Sequence, residues 1–232
     1  MDPRLPAVRL SIIVPMLDEA AGIERTLCAL AAMRTRGVEL VVADGGSSDG
    51  SAGIAAGLAD AVIVAPRGRA LQMNAGAAAA CGEVLLFLHA DTALPPGADA
   101  LILKALAVQG RNWGRFDVHI QGRSRMLAVV AALMNLRSRV TGIATGDQAM
   151  FVRREDFYAV GAFPEQMLME DIELSRRLKT RSAPVCLSQR VRTSGRRWDD
   201  NGVWRTIVLM WRLRLCYWCG AGADTLARQY RR

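Results

Sequence analysis

The chain has little lysine and little histidine. Of its 30 basic residues only Lys104 and Lys179 are lysines, and the two histidines are His89 and His119. The rarity of lysine disfavours a nucleotidyltransferase, because the glycine-rich phosphate loop with a lysine near the amino terminus is missing. The first strand is not followed by GxGxxG, which disfavours a nicotinamide enzyme. No run of 18 uncharged apolar residues occurs, so a spanning helix is not expected. The best candidate, residues 203–223, contains Arg205, Arg212 and Arg214, each costing about 2.5–3.5 kcal/mol near a bilayer centre. On a helix Arg205 and Arg212 share a face while Arg214 points the other way, so the segment is expected to lie on a membrane at most. The five cysteines, at 28, 81, 186, 216 and 219, are odd in number and scattered. No secretory signal precedes the first strand, and a reducing cytoplasm is the expected location. Cys216 and Cys219 have no second pair or histidine to complete a zinc site.

With 232 residues, 51% of them hydrophobic, the chain can bury a full core as one α/β domain. The net charge of +8 is unevenly spread, because residues 190–232 hold ten arginines against Asp199, Asp200 and Asp224. Such a tail could meet phosphates, an anionic membrane surface or nucleic acid, or form a solvated basic helix. No nucleic-acid-binding module accompanies the charge, so a nucleic-acid partner is not expected.

Periodicity predicts strand, helix, strand, helix, strand, helix, strand over residues 8–88: strands at 8–14, 38–43, 61–65 and 82–88, with helices at 19–34, 51–59 and 70–81. This is a parallel, doubly wound layer. The loop Gly45–Gly50 offers Ser and Asp caps for the helix at 51–59. Beyond Pro96 the pattern predicts helices near 97–109 and 123–139, extended segments at 115–121 and 148–153, and helices at 154–160, 170–179 and 203–218. One domain, 1–232, is expected to divide into a donor-binding half (about 9–95), an acceptor half (about 96–200) and basic aromatic carboxyl-terminal helices (about 201–232).

In a parallel sheet the strand ends at Pro15–Glu19, Asp44 and Asp91 open on one edge, the ligand-binding edge of open α/β sheets. Asp91 follows the buried run Val84–Leu88, where one carboxylate suffices for a divalent cation that also takes substrate phosphates; it could equally cap the turn before Pro95. Asp44 could accept from a base N–H or serve its own loop, and Glu19 could hold another polar part of a nucleotide. Arg67 and Arg69 could fork phosphates or be solvated.

The segments Ile13–Glu19, Val41–Gly50 and Phe87–Asp91 resemble family 2 glycosyltransferases. So do Gly146–Arg154 with its GDQ sequence, Met169–Leu178 (MEDIELSRRL) and Thr193–Trp198 (TSGRRW), which resemble one short bacterial branch. The resemblance spans about residues 9–230. It implies a GT-A fold, a Rossmann-like, mostly parallel sheet flanked by helices, binding a nucleoside diphosphate sugar of UDP or GDP type with Mn²⁺ or Mg²⁺. It further implies inverting transfer to a small or lipid-linked acceptor, on a cytoplasmic enzyme that could dock on the inner face of the membrane. Carried over by motif, Pro15, Glu19 and Asp44 would contact the nucleoside, Arg69 the base or a phosphate, and Asp91 the metal. Asp171 would be the general base with Glu170 in reserve, and its place at a helix start favours a carboxylate there. Asp147, Arg197 and Trp198 would hold the acceptor or the diphosphate; Arg196-Arg197-Trp198 resembles the QxxRW motif, with Ser194 in the place of Gln. His89 stands where the metal motif carries its first acid, and is either a ligand, a phosphate contact or a spacer. His119, without a motif, is expected to be structural. The alternative is a catalytically weak nucleotide-sugar-binding or regulatory protein on the same fold.

Overall fold

A computed structural model describes residues 9–108 and 110–230. Strands β1 (Leu10–Met16), β2 (Glu39–Asp44), β3 (Ala61–Val64) and β4 (Val84–Phe87) alternate with helices α1 (Ala20–Arg34), α2 (Ser51–Ala56) and α3 (Arg69–Ala79). These four strands pair in parallel in the order β3-β2-β1-β4. Because side chains alternate across a pleated strand, Ile12, Val14, Leu40 and Val42 pack with Ile23, Leu27 and Leu30 of α1, whereas Ile13 and Val41 meet Ala70, Met73 and Ala77 of α3. The small residues of α3 permit a close approach: a Cβ on Gly76 would lie 2.4 Å from Ile13 Cγ2. With both faces covered, these strands read as continuous apolar runs. Val8, placed in the first strand by its pattern, lies outside the described residues.

The second half makes the sheet mixed. After the short β5 (Thr92–Ala93) and α4 (Ala98–Leu106) come β6 (Trp113–Gln121), α5 (Met126–Thr141), a 3₁₀ turn at Gly146–Gln148 and β7 (Phe151–Arg153). Helices α6 (Arg154–Ala159) and α7 (Glu170–Leu178) then lead into β8 (Val185–Ser194), followed by α8 (Arg196–Asn201), α9 (Val203–Trp218) and α10 (Ala223–Tyr230). The order continues β4-β7-β6-β8-β5, with β7 antiparallel to β4 and β6, and β8 parallel to β6. Beyond the sequence expectation lie β5, β8 and α8, and the segment at 148–153 takes another form. The segment 148–153 is a turn followed by a three-residue strand; β8 and α10 carry no clear period, and β8 shifts register against β6 between Phe116 and Asp117.

Two polar anchors shape the site. Asn135 on α5 accepts from the Val118 N–H at 2.9 Å and donates to its carbonyl at 3.0 Å, pinning the helix to β6. Pairing of Thr92 with Thr193, backed by a 3.0 Å hydroxyl contact, brings the end of β8 beside Asp91.

Candidate active site

The carboxyl ends of β1, β3 and β4 open into a cleft of about 840 Å³, whose walls include Pro15, Glu19, Arg67, Arg69, Asp91 and Trp198. A smaller cavity of about 110 Å³ adjoins it, lined by Gly146, Asp147, Glu170, Asp171, Met210 and Arg214 among others. Arg69, His89, Asp147 and Tyr230 line both, so the two share a wall.

Two loops build the floor. The Ser47 and Ser51 hydroxyls accept from the N–H groups of Asp18 and Glu19 at 2.9 and 2.8 Å, and Asp49 accepts from Ala20 at 2.8 Å. Ser47 and Asp49, expected as caps of α2, therefore satisfy the start of α1, although Asp49 also accepts the Ser51 N–H at 3.0 Å; α2 follows Gly50, which lies in the left-handed region (φ +87°). A hydrogen bond from the Ser51 hydroxyl and that from the Ala20 N–H hold Asp49 below the usual carboxylate range. Asp44 is buried, and its carboxylate accepts from the Gly46 and Ser47 N–H groups at 3.1–3.2 Å and from the Ser47 hydroxyl. It serves its own loop here, and it does not line the cleft. Gln72 ties the ends of β1 and β2 together, donating to the carbonyls of Met16 at 2.6 Å and Ala43 at 3.0 Å.

Asp91 faces the cleft opposite Glu19. Burial raises the Glu19 pKa and the charge of Asp91 raises it further, against the lowering effect of Arg196, whose Nη2 lies 3.7 Å from Glu19 Oε2. His89 is differently engaged. Its Nδ1 sits 3.3 Å from Asp147 Oδ1, and its buried Nε2 has no hydrogen-bond partner and packs on Gly146 so closely that a Cβ there would lie 2.5 Å away. One His89 nitrogen is thus turned to Asp147 and the other is held against the Gly146–Gln148 turn, while the ring lines both the cleft and the cavity. Among the described residues no three acidic, histidine or cysteine side chains are grouped so as to hold a metal ion by themselves. The oxygens of Asp91 and Glu19 suit a hard cation that takes one or two carboxylates and draws its other ligands from a diphosphate and water.

The acidic pair of α7 divides its roles. Asp171 accepts from the Gly146 N–H at 2.8 Å and from the Ile172 N–H at 2.7 Å. Glu170 is buried, 3.7 Å from Arg69 Nη1; its pKa is raised by burial and then by the charge of Asp171, with Arg69 opposing. Asp147 moves the other way: burial disfavours its charge, but His89, Arg69 and Arg214 prevail and lower its pKa. Three of the four non-glycine residues with positive φ among the described residues flank this machinery, namely Asp18 before Glu19, Ala149 after the turn and Met169 before Glu170. Such strain concentrates at functional sites.

The carboxyl-terminal elements complete the walls. The Arg197 guanidinium lies 3.4 Å above the Tyr230 ring centroid and also donates to the Tyr230 carbonyl at 2.7 Å. Burial raises the Tyr230 pKa and lowers that of Arg214. Trp198 lines the cleft while packing against the core. Sequence reasoning missed Gln72, Met210, Arg214 and Tyr230. For Arg214 a signal existed in its position opposite Arg205 and Arg212, whereas Tyr230 carried none. His119 lies on β6 and does not line the cleft.

The mixed sheet opens into this cleft at its switch point, between β1 and β4, the place where open α/β sheets bind ligands. The sequence model described as "Glycosyl transferase family 2" matches residues 11–158, and the chain belongs to that family. No curated relative matches it. Among solved structures, Staphylococcus aureus TarS (residues 1–349) superposes with a TM-score of 0.63 at 16% identity, over 80% of this chain and 60% of that one. The mannosyltransferase PcManGT from Pyrobaculum calidifontis, in complex with GDP-Man and Mn²⁺, gives 0.61 at 21% identity, over 90% and 61%. Glucosyl-3-phosphoglycerate synthase from Mycobacterium tuberculosis, with Mn²⁺, UDP and glucosyl-3-phosphoglycerate, gives 0.60 at 19%, over 80% and 70%. The chain thus spans about 60% of the first two, and at these identities the likeness is one of fold.

Proposed function

We propose that the chain moves a sugar from a nucleoside diphosphate donor of UDP or GDP type, seated in the large cleft, to a hydroxyl of a small or lipid-linked acceptor entering the small cavity, with inversion. The observation that carries this reading is the shared wall of Arg69, His89, Asp147 and Tyr230 between the cleft that holds Asp91 and the cavity that holds Asp171. Leaving group and attacking hydroxyl would then meet at one boundary.

Pro15 and Glu19 bound the nucleoside end, and Asp44 supports it by holding the Gly45–Gly50 loop. Arg69 and Arg197 face the diphosphate, where guanidinium groups suit phosphate oxygens. Asp91, with Glu19 beside it, would hold Mn²⁺ or Mg²⁺, which when bound neutralises charge developing on the leaving diphosphate. Asp171 acts as the general base: its two backbone donors fix the carboxylate while an oxygen lone pair remains to take the acceptor proton. Glu170, drawn toward its neutral form by burial, is the poorer base and positions Arg69. Asp147 orients the acceptor or diphosphate through its contact with His89.

Calorimetric titration of UDP, GDP and dTDP, with and without Mn²⁺, tests the donor site. Metal-dependent binding of one nucleotide, lost in Asp91→Asn, is expected; no binding of any nucleotide in either condition would overturn the assignment.

A further inference from the structure

Nine of the thirteen large apolar side chains exposed among the described residues lie on two helices. On α9 they are Trp204, Val208, Trp211, Leu215 and Trp218, spaced by four, three, four and three residues, which places them on one face. On α5 they are Val129, Leu133, Leu136 and Val140, with the same spacing. Trp218 is 88% exposed, Val140 77% and Trp211 69%. Both helices turn a second face inward, with Val130 and Ala131 of α5 and Val203 and Ile207 of α9 belonging to the main core. Burial, then the charge of Arg214 on α9, lowers the pKa of Arg137 on α5 to about 10.

We infer that these two faces form one surface that docks on a bilayer containing anionic phospholipid. Tryptophan beside arginine is the composition of an interfacial helix. Arg205 and Arg212 are exposed along one flank of the α9 stripe, where they can reach phosphate headgroups while the indoles enter the acyl boundary. Arg214, which spoils the amphipathic pattern in the sequence, points inward and lines the small cavity. No helix among the described residues is long and apolar enough to cross a membrane, so the contact is peripheral. A second copy of the chain fits the surface less well, because a two-fold pairing brings like-charged arginine flanks together. Met210 and Arg214 reach the cavity from the inner side of α9, so docking would set that cavity close to the lipid surface. In this respect the inference rests on the proposed function and deepens it toward a lipid-linked acceptor.

The test is cosedimentation of the whole chain with vesicles of phosphatidylcholine alone or mixed with phosphatidylglycerol, read together with tryptophan emission and solution mass. The native chain should sediment with the anionic vesicles, and its emission should shift to shorter wavelength. Trp211→Glu/Leu215→Glu on α9 and Leu133→Glu/Leu136→Glu on α5 should each weaken binding by about tenfold or more, with unchanged thermal midpoints. Trp218→Ala, at the most exposed site, gives a partial loss that no packing defect explains. Failure of the native chain to sediment overturns the inference, as does full binding by either double variant. Equal binding to neutral vesicles overturns the anionic assignment, and a dimer that the same substitutions dissociate, without lipid binding, assigns the face to a second copy. Nucleotide titration of the native chain separates the two readings: no vesicle binding with nucleotide binding intact refutes docking alone, and vesicle binding without nucleotide binding refutes the donor cleft alone.

Discussion

The carboxylate of Asp171, at the start of α7, accepts the backbone N–H of Gly146 at 2.8 Å across 25 residues of sequence. One bond thereby couples the proposed base to the turn that carries Asp147 and packs on His89. Asp171→Asn keeps an acceptor oxygen for Gly146 but loses the charge and most of the proton affinity. Transfer is expected to fall by about 10²–10⁴-fold with nucleotide affinity unchanged, as measured by single-turnover kinetics beside calorimetry. Equal activity in the variant would remove Asp171 from the base role.

Gly146→Ala tests the same turn sterically. The new Cβ would lie 2.5 Å from His89 Nε2, so the ring must shift and its contact with Asp147 is disturbed. A loss of about 1–3 kcal/mol in chemical denaturation is expected, together with reduced transfer. A second-site His89→Ala should restore much of the stability, since it removes the clashing ring.

Asp91→Asn should abolish the enhancement of nucleotide binding by Mn²⁺ while leaving the thermal midpoint nearly unchanged, because Asp91 lies at the cleft and no ion pair holds it among the described residues. Calorimetry with and without the cation decides this. His89→Ala, by contrast, should leave the metal-dependent part of the binding in place.

Glu170 gives a pH prediction with a definite sign. Its folded pKa is raised, so between the ordinary glutamate value and that raised value the folded state holds more protons than the unfolded state, and stability falls as pH rises. Glu170→Gln removes this dependence. The difference in thermal midpoint, variant minus native, should therefore grow with pH through the range just above the ordinary glutamate pKa. A flat difference would contradict it. Asp147, whose pKa is lowered, contributes in the opposite sense: its stabilisation is present above the ordinary aspartate value and is lost as pH falls through the lowered one.

Tyr230→Ala removes the ring under Arg197. The stacking is worth about 0.5–2 kcal/mol, and freeing Arg197 at the cleft should change the KM for donor more than kcat. Tyr230→Phe, which keeps the stack, should restore the native KM; loss of kcat alone in both variants would instead assign the hydroxyl a part in the chemistry.

The donor half was legible in the sequence because its signals are local. Apolar runs the length of a strand, helices with apolar residues three and four apart, and acids at strand ends led to β1–β4, α1–α3 and the shared edge of Glu19 and Asp91. Family resemblance added Asp171, and the family match supports the class though not the role of each residue. What the sequence could not carry was contact between distant segments. Val185–Ser194 has no clean alternation because β8 shifts register against β6, and its middle, Ser188–Arg190, is exposed; only pairing with a strand some seventy residues earlier makes it extended. The destination of a polar side chain was equally hidden. Asp44 and Ser47 read as a nucleotide contact and a local cap, yet Asp44 serves its own loop and Ser47 accepts from Asp18 before α1, because backbone donors take the nearest acceptor in space. Composition and period determined the layers and the strand-end acids. Tertiary packing decided which of those groups face the cleft, turned His89 toward Asp147, and brought Arg214 and Tyr230 to its wall.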